Sequence, residues 1–159
     1  MRTNATHSKI MSKMLTTRML AMAVLVVLLA LLGQAQLDAQ QGYKVIVNEN
    51  NQVSSLDKKQ VSKFLLKKAL RWEDGTAVDP VDLAPSSAVR EAFSEDVHGR
   101  SVASIKNYWQ RQIFSGANTP PAEVGSDAEV IAYVRSNPGA IGYVSTGAPL
   151  DGVKAVSVN

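Results

Sequence analysis

The residues best suited to chemistry after position 40 are Ala84-Pro85-Ser86-Ser87-Ala88-Val89-Arg90. They follow a stretch with strand character and open one with helical character. A helix N-terminus offers unsatisfied backbone N–H groups and a partial positive charge to an anion. Serine hydroxyls add donors, and an arginine adds a planar fork that matches two oxygens. Ser86, Ser87, Ala88 and Arg90 are therefore the candidate ligand-binding residues. The plainer alternative is that Ser86 or Ser87 only caps the helix.

Other chemistry is poorly provided for. A hydrolytic triad needs a nucleophile, a base and an orienting acid. Beyond residue 40 the only histidine is His98, and the chain has no cysteine. His98 stands beside Gly99 at an expected helix end, where an imidazole interacts with the helix dipole or simply faces solvent. One histidine with scattered carboxylates gives no zinc spacing, and no EF-hand, phosphate-loop or dinucleotide fingerprint is present. Glu95 and Asp96 are adjacent on an expected helix and diverge by roughly 100°. Trp72, Tyr108 and Trp109 suggest a stacking platform, but Trp109 fits an apolar stripe, so core packing is the expectation. The reading is non-enzymatic, with no catalytic residue, metal or cofactor.

The elements that must position the serines can be read from periodicity. Lys44–Asn48 (KVIVN) suits a strand covered on both faces. Asp57 and Gln60 have capping-box spacing, with Leu56 and Val61 as a staple, and Val61, Phe64 and Leu65 mark the apolar face of a first helix. Trp72–Gly75 is a turn, and Thr76–Leu83 reads as a strand whose Pro80 points to an edge or a bulge. A second helix opens at Pro85-Ser86-Ser87, turns Val89, Ala92, Phe93 and Val97 inward and stops at Gly99. Ser101 caps a third helix with Val102, Ile105, Trp109 and Ile113 on one stripe, closed by Gly116. Ala117–Gly125 is a loop. Ser126 and Glu129 form another capping box for a fourth helix reaching about Ser136, ended by Asn137-Pro138-Gly139. Ile141–Val144 and Val153–Val158 are the last strands. The order β-α-β-α-α-α-β-β implies an α/β, three-layer-like sandwich with a small, largely parallel or mixed sheet flanked by helices.

The first 39 residues read differently. Arg2, Lys9, Lys13 and Arg18 precede an unbroken apolar run, Met19–Leu32, which is followed by small residues and glutamines. That order is the pattern of a secretory signal peptide, with cleavage after Ala35 or Ala39. The run falls short of the roughly 20 residues that span a bilayer. Without a cysteine there is no lipid-modified N-terminus and no disulfide framework. A domain over residues 40–159 is thus expected in the periplasm or outside the cell. Four of the 17 Lys and Arg and one of the 14 Asp and Glu lie in the leader, leaving 13 of each sign. A balanced domain lacks the cation surplus that nucleic-acid binding needs.

Four segments together resemble a known family. They are Tyr43–Ser55 (YKVIVNENNQVSS), Trp72–Leu83 (WEDGTAVDPVDL), Val89–Phe93 (VREAF) and Asn137–Val144 (NPGAIGYV), in that order. They resemble the second lobe of phosphate ABC-transporter substrate-binding proteins, of the type II periplasmic-binding superfamily; NPGAIGYV is the most specific. The resemblance covers about 100 residues. It implies one lobe of such a protein, with phosphate or a related small anion as ligand and a membrane transporter or another periplasmic protein as partner. In the family the phosphate loop runs Arg-x-x-Gly-Ser-Gly-Thr before Arg-Glu-Ala-Phe. Aligned on Arg90–Phe93, its serine matches Ser87, but its arginine falls on Leu83, its threonine on Val89 and its glycines on Ser86 and Ala88. Weak oxyanion binding is the resulting expectation. The rival is an interaction module that has lost its ligand, its open face docking a protein or a second copy as a homodimer.

Overall fold

A computed structural model describes residues 42–159, so the leader and its cleavage sites lie outside the described residues. Residues 39–159 form a compact unit of their own. Along the chain run β1 (Tyr43–Asn48), β2 (Ser55–Leu56), α1 (Lys58–Leu65), β3 (Asp79–Leu83), α2 (Ala88–His98), α3 (Val102–Phe114), β4 (Ala122–Val124), α4 (Asp127–Ser136), β5 (Ala140–Ser145) and β6 (Val153–Val158).

The strands make one six-stranded sheet in the order β2-β6-β1-β5-β3-β4. The apolar run Val45–Val47 is buried because β1 sits inside this sheet, antiparallel to β5 on one side and β6 on the other. The remaining pairs β2–β6, β5–β3 and β3–β4 are parallel, so the sheet is mixed. Successive residues of a strand face opposite ways. On β5, the Gly142 α-carbon lies against Val130 and Val134 of α4, while the next residue, Tyr143, stacks on Phe93 of α2 with ring centroids 3.7 Å apart. Helices therefore cover both faces, and the sandwich has three layers.

Local chemistry sets the helix starts. Asp57 and Gln60 exchange both bonds of a capping box, and Ser87, Ser101 and Ser126 each accept an N–H from three residues on. At α4 the box is incomplete: the Glu129 carboxylate takes the N–H of Gly125, at 2.6 Å, rather than that of Ser126. The NPGAIGYV segment owes its glycines to close approach. A β-carbon on Gly139 would stand 2.0 Å from the Ala77 carbonyl oxygen, and one on Gly142 would stand 2.8 Å from methyls of Val81 and Val130. The Gly139 carbonyl accepts both the Trp72 indole N–H and the Asp79 N–H.

Several expectations need revision. β2 and β4 join the sheet as strands that were not expected, β4 from the stretch read as a loop; strands of two and three residues are too short to show a period. β3 begins at Asp79 rather than Thr76, and exposed Ala77 belongs to a single bridge with Arg71. Pro80 lies in an interior strand, but in the half of it that pairs with β5 alone; β4 joins from Val81. Its missing N–H thus falls where no β4 partner exists. Finally, Ile113 is 52% exposed, so the α3 stripe ends at Trp109. Ile105 and Trp109 pack with Leu66 in a small cluster separate from the main core.

Candidate functional site

The α2 N-terminus lies just beyond the carboxyl end of β3. Ala84 is tied to β4 by its N–H to the Val124 carbonyl, and the Ser87 N–H closes a turn on the Ala84 carbonyl, at 2.8 and 2.9 Å. Ser86 and Ala88 are exposed, and Ser87 is half-buried. The Ser87 hydroxyl accepts the Arg90 N–H at 3.3 Å, the cap that the plainer reading foresees. The N–H groups of Ser86, Ala88 and Val89 have no protein acceptor among the described residues.

Arg90 does not join them at the surface. Its side chain is buried and points back under the tip. One guanidinium nitrogen donates to the Leu83 carbonyl and, at 2.6 Å, to Glu123; another stands 3.0 Å from the Asp82 carboxylate. Among the described residues the Nε has no hydrogen-bond partner. Asp82 also accepts a short bond from the Tyr143 hydroxyl and one from the Leu83 N–H. Burial raises the Asp82 carboxyl above its usual range against the pull of Arg90, and burial beside that carboxylate pushes the Tyr143 phenol up as well.

These partners were hidden from the sequence reading for a reason. Glu123 comes from β4, which carries no pattern, and Tyr143 from a strand far along the chain. Two signals were present, however. Arg90 precedes Phe93 and Val97 at helical spacing, on the inward stripe, and Asp82 sits inside a buried strand where a carboxylate must have a partner.

Other residues singled out in sequence fall elsewhere. His98, at the end of α2, is half-buried, with its Nδ1 2.9 Å from the Ser62 hydroxyl of α1 and its ring edge-on to Phe93. Burial, reinforced by Arg90, Arg100 and Lys68, pulls its imidazole down to about 4. It is therefore neutral at pH 7 and is neither a charged dipole partner nor solvent-facing. Asp96 accepts from the Tyr43 hydroxyl and pairs with Lys58, while Glu95 is exposed and apart. Trp72 and Trp109 are each 5% exposed and are core residues. Among the described residues no group of three or more His, Cys, Asp and Glu converges as a metal site. At the same end of the sheet, the N-terminus of α4 is filled by its own Asp127, which accepts the Ser145 N–H and hydroxyl.

This architecture has solved counterparts. The chain superposes with a TM-score of 0.60 and 24% identity on a protein from Clostridium perfringens described as a phosphate ABC transporter substrate-binding protein, with bound phosphate. The match covers 74% of this chain and 44% of that one. The fold is that of one lobe of a phosphate-type substrate-binding protein. An ABC-type phosphate transport receptor from Vibrio cholerae matches with a TM-score of 0.59 and 21% identity over 74% of this chain and 46% of its own. PstS from Borrelia burgdorferi follows at 0.53 and 20%, over 74% and 47%. The chain thus spans less than half the length of these structures, and at such identities the likeness establishes the fold. No protein-family model and no curated protein matches it. Among the described residues no helix is long and apolar enough to cross a membrane.

Proposed function

We propose that the chain is an exported, non-enzymatic lobe of the phosphate-binding-protein type that holds a small oxyanion weakly at the α2 tip. The observation that carries this reading is the solvent-facing N-terminus of α2 at the rim of the sheet, with the N–H groups of Ser86, Ala88 and Val89 uncommitted. Such a terminus is a favourable place for an anion. Ser86 adds a hydroxyl, Ser87 holds the helix start, and Arg90 braces the turn from beneath through the Leu83 carbonyl. The phosphate carried by the C. perfringens protein supports the choice of ligand.

Low affinity follows from the surrounding charge. Arg90 is already paired with Asp82 and Glu123, and Asp127 occupies the neighbouring helix start. Binding near 1 mM, about −4 kcal/mol, is the expected strength. Titrating residues 39–159 with phosphate and with sulfate while following amide resonances tests this. Shifts centred on Ser86–Val89 and saturating at millimolar anion are expected. Unmoved amides at about 50 mM, some fiftyfold above the expected dissociation constant, would refute it.

A second reading has its own support. Arg90 is turned inward and the chain is one lobe long, which favours an interaction module whose rim docks a transporter, another periplasmic protein or a second copy. Sedimentation of a dimer lost on substituting Ser86 by glutamate would favour this reading.

A further inference from the structure

The cations of this lobe are not evenly spread. Lys58–Trp72 (KKQVSKFLLKKALRW) holds six lysines and arginines without one acid, and Gly99–Ala122 holds three more, again without an acid. These two stretches pack on each other. The Tyr108 hydroxyl donates to the Leu66 carbonyl, and the Asn118 amide donates to the Lys67 carbonyl. Lys67 in turn reaches the Pro120 carbonyl, and the Lys68 ammonium lies 5.5 Å from the Tyr108 ring centre. The tail of α1 and α3 thus make one basic flank, built from residues other than those of the α2 tip.

The same flank carries the large apolar side chains that the fold leaves uncovered. Phe114 is 89% exposed, Leu70 59% and Ile113 52%. Phe114 and Ile113 end a helix whose buried residues are Ile105 and Trp109. A groove of about 750 Å³ is lined by Lys63, Phe64, Ala69 and Arg71 of the same basic stretch, while Lys68, Leu70, Ile113 and Phe114 stand outside its lining. Protruding apolar side chains on the same two stretches as these lysines and arginines match a fluid, negatively charged interface, into which the apolar tips sink while the cations meet headgroups. A second copy of the chain would set like charges against each other.

We propose that α3 and the tail of α1 form a docking face for an anionic lipid bilayer, with Phe114 and Ile113 inserting and Lys68 and Arg111 pairing with lipid phosphates. The face is separate from the α2 tip and does not depend on oxyanion binding there. It can be tested with residues 39–159, which carry the complete sheet and core. Co-sedimentation is measured with vesicles of phosphatidylcholine alone and with about one-third phosphatidylglycerol, in low and in physiological salt. The expected result is binding only to the anionic vesicles, weakened by salt. Lys68→Glu with Arg111→Glu should lower the partition coefficient at least about tenfold, since each cation near such a surface matters severalfold. Ile113→Ser with Phe114→Ser should weaken it severalfold at unchanged salt dependence, and all four sites are exposed enough to leave the melting temperature in place. Equal binding to neutral vesicles, or no binding to either, overturns the proposal. So does a dimer in sedimentation that Phe114→Ser dissolves, or retention on an acidic protein column alone.

Discussion

Replacing Arg90 by methionine should destabilise the lobe by about 3–5 kcal/mol, because it strands a buried charge. Methionine fills most of the aliphatic volume, so the loss is electrostatic rather than a cavity. The three arms of the guanidinium contribute unequally. Glu123 is 44% exposed, and a pair so open to water is worth at most about 1 kcal/mol. The Leu83 carbonyl forfeits a charged donor, a loss of about 1.5–3 kcal/mol. The remainder comes from Asp82, whose side chain is 9% exposed and which keeps only the Tyr143 hydroxyl and the Leu83 N–H. Urea unfolding of residues 39–159, followed by the fluorescence of Trp72 and Trp109, measures the change. A pH series supplies a second readout. The Asp82 carboxyl already sits above its usual range by burial, so the native state binds its proton more tightly than the unfolded chain does. Such a group lowers stability increasingly as pH rises from the unfolded carboxylate value toward the folded one. Without Arg90 that folded value climbs further, and the variant should recover stability on acidification from pH 7. A loss below about 1 kcal/mol at pH 7, with no such recovery, would show that the guanidinium is not structural and would return it to the anion site.

Three further outcomes follow from the geometry. His98 titrates near 4 in the fold and near 6.5 when unfolded, so stability should fall as pH drops from 6.5 to 4, by at most about 3 kcal/mol; His98→Gln should flatten that limb of a pH-dependent melting curve. Gly142→Ala forces its new methyl onto Val81 and Val130 and should cost about 1–3 kcal/mol, whereas Gly139→Ala meets a backbone carbonyl and should cost more; equal melting temperatures for the two would contradict this order. Ser87→Ala removes the α2 cap and should cost about 1 kcal/mol by chemical denaturation, with larger losses pointing to a second role for the hydroxyl.

How much of this was legible in sequence depended on range. The caps of the helices and the apolar faces of α1 and α2 rest on residues three or four apart, and the sequence displays them. The three-layer class followed from the alternation of strands and helices. What escaped depends on distant partners. Ser55-Leu56 and Ala122–Val124 become strands only because β6 and β3 offer them open edges. Arg90 was read as a fork for an anion's oxygens at the helix tip, whereas its guanidinium is turned inward. Its place on the inward stripe with Phe93 and Val97 hinted at burial, but the pairing with Asp82 and Glu123 depends on strands that no local pattern brings together. His98 followed the same course, with Ser62 and Phe93 enclosing a ring that local context left in water.

The place of β1 bears on how the lobe comes into being. The first described strand is flanked on both sides by the last two, β5 and β6. Val45–Val47 have no strand partner until β5 and β6 are in place. Closing contacts between such remote parts is slow. The centre of the sheet therefore closes only when β5 and β6 are available to flank β1, which couples the packing of the first described strand to that of the last two.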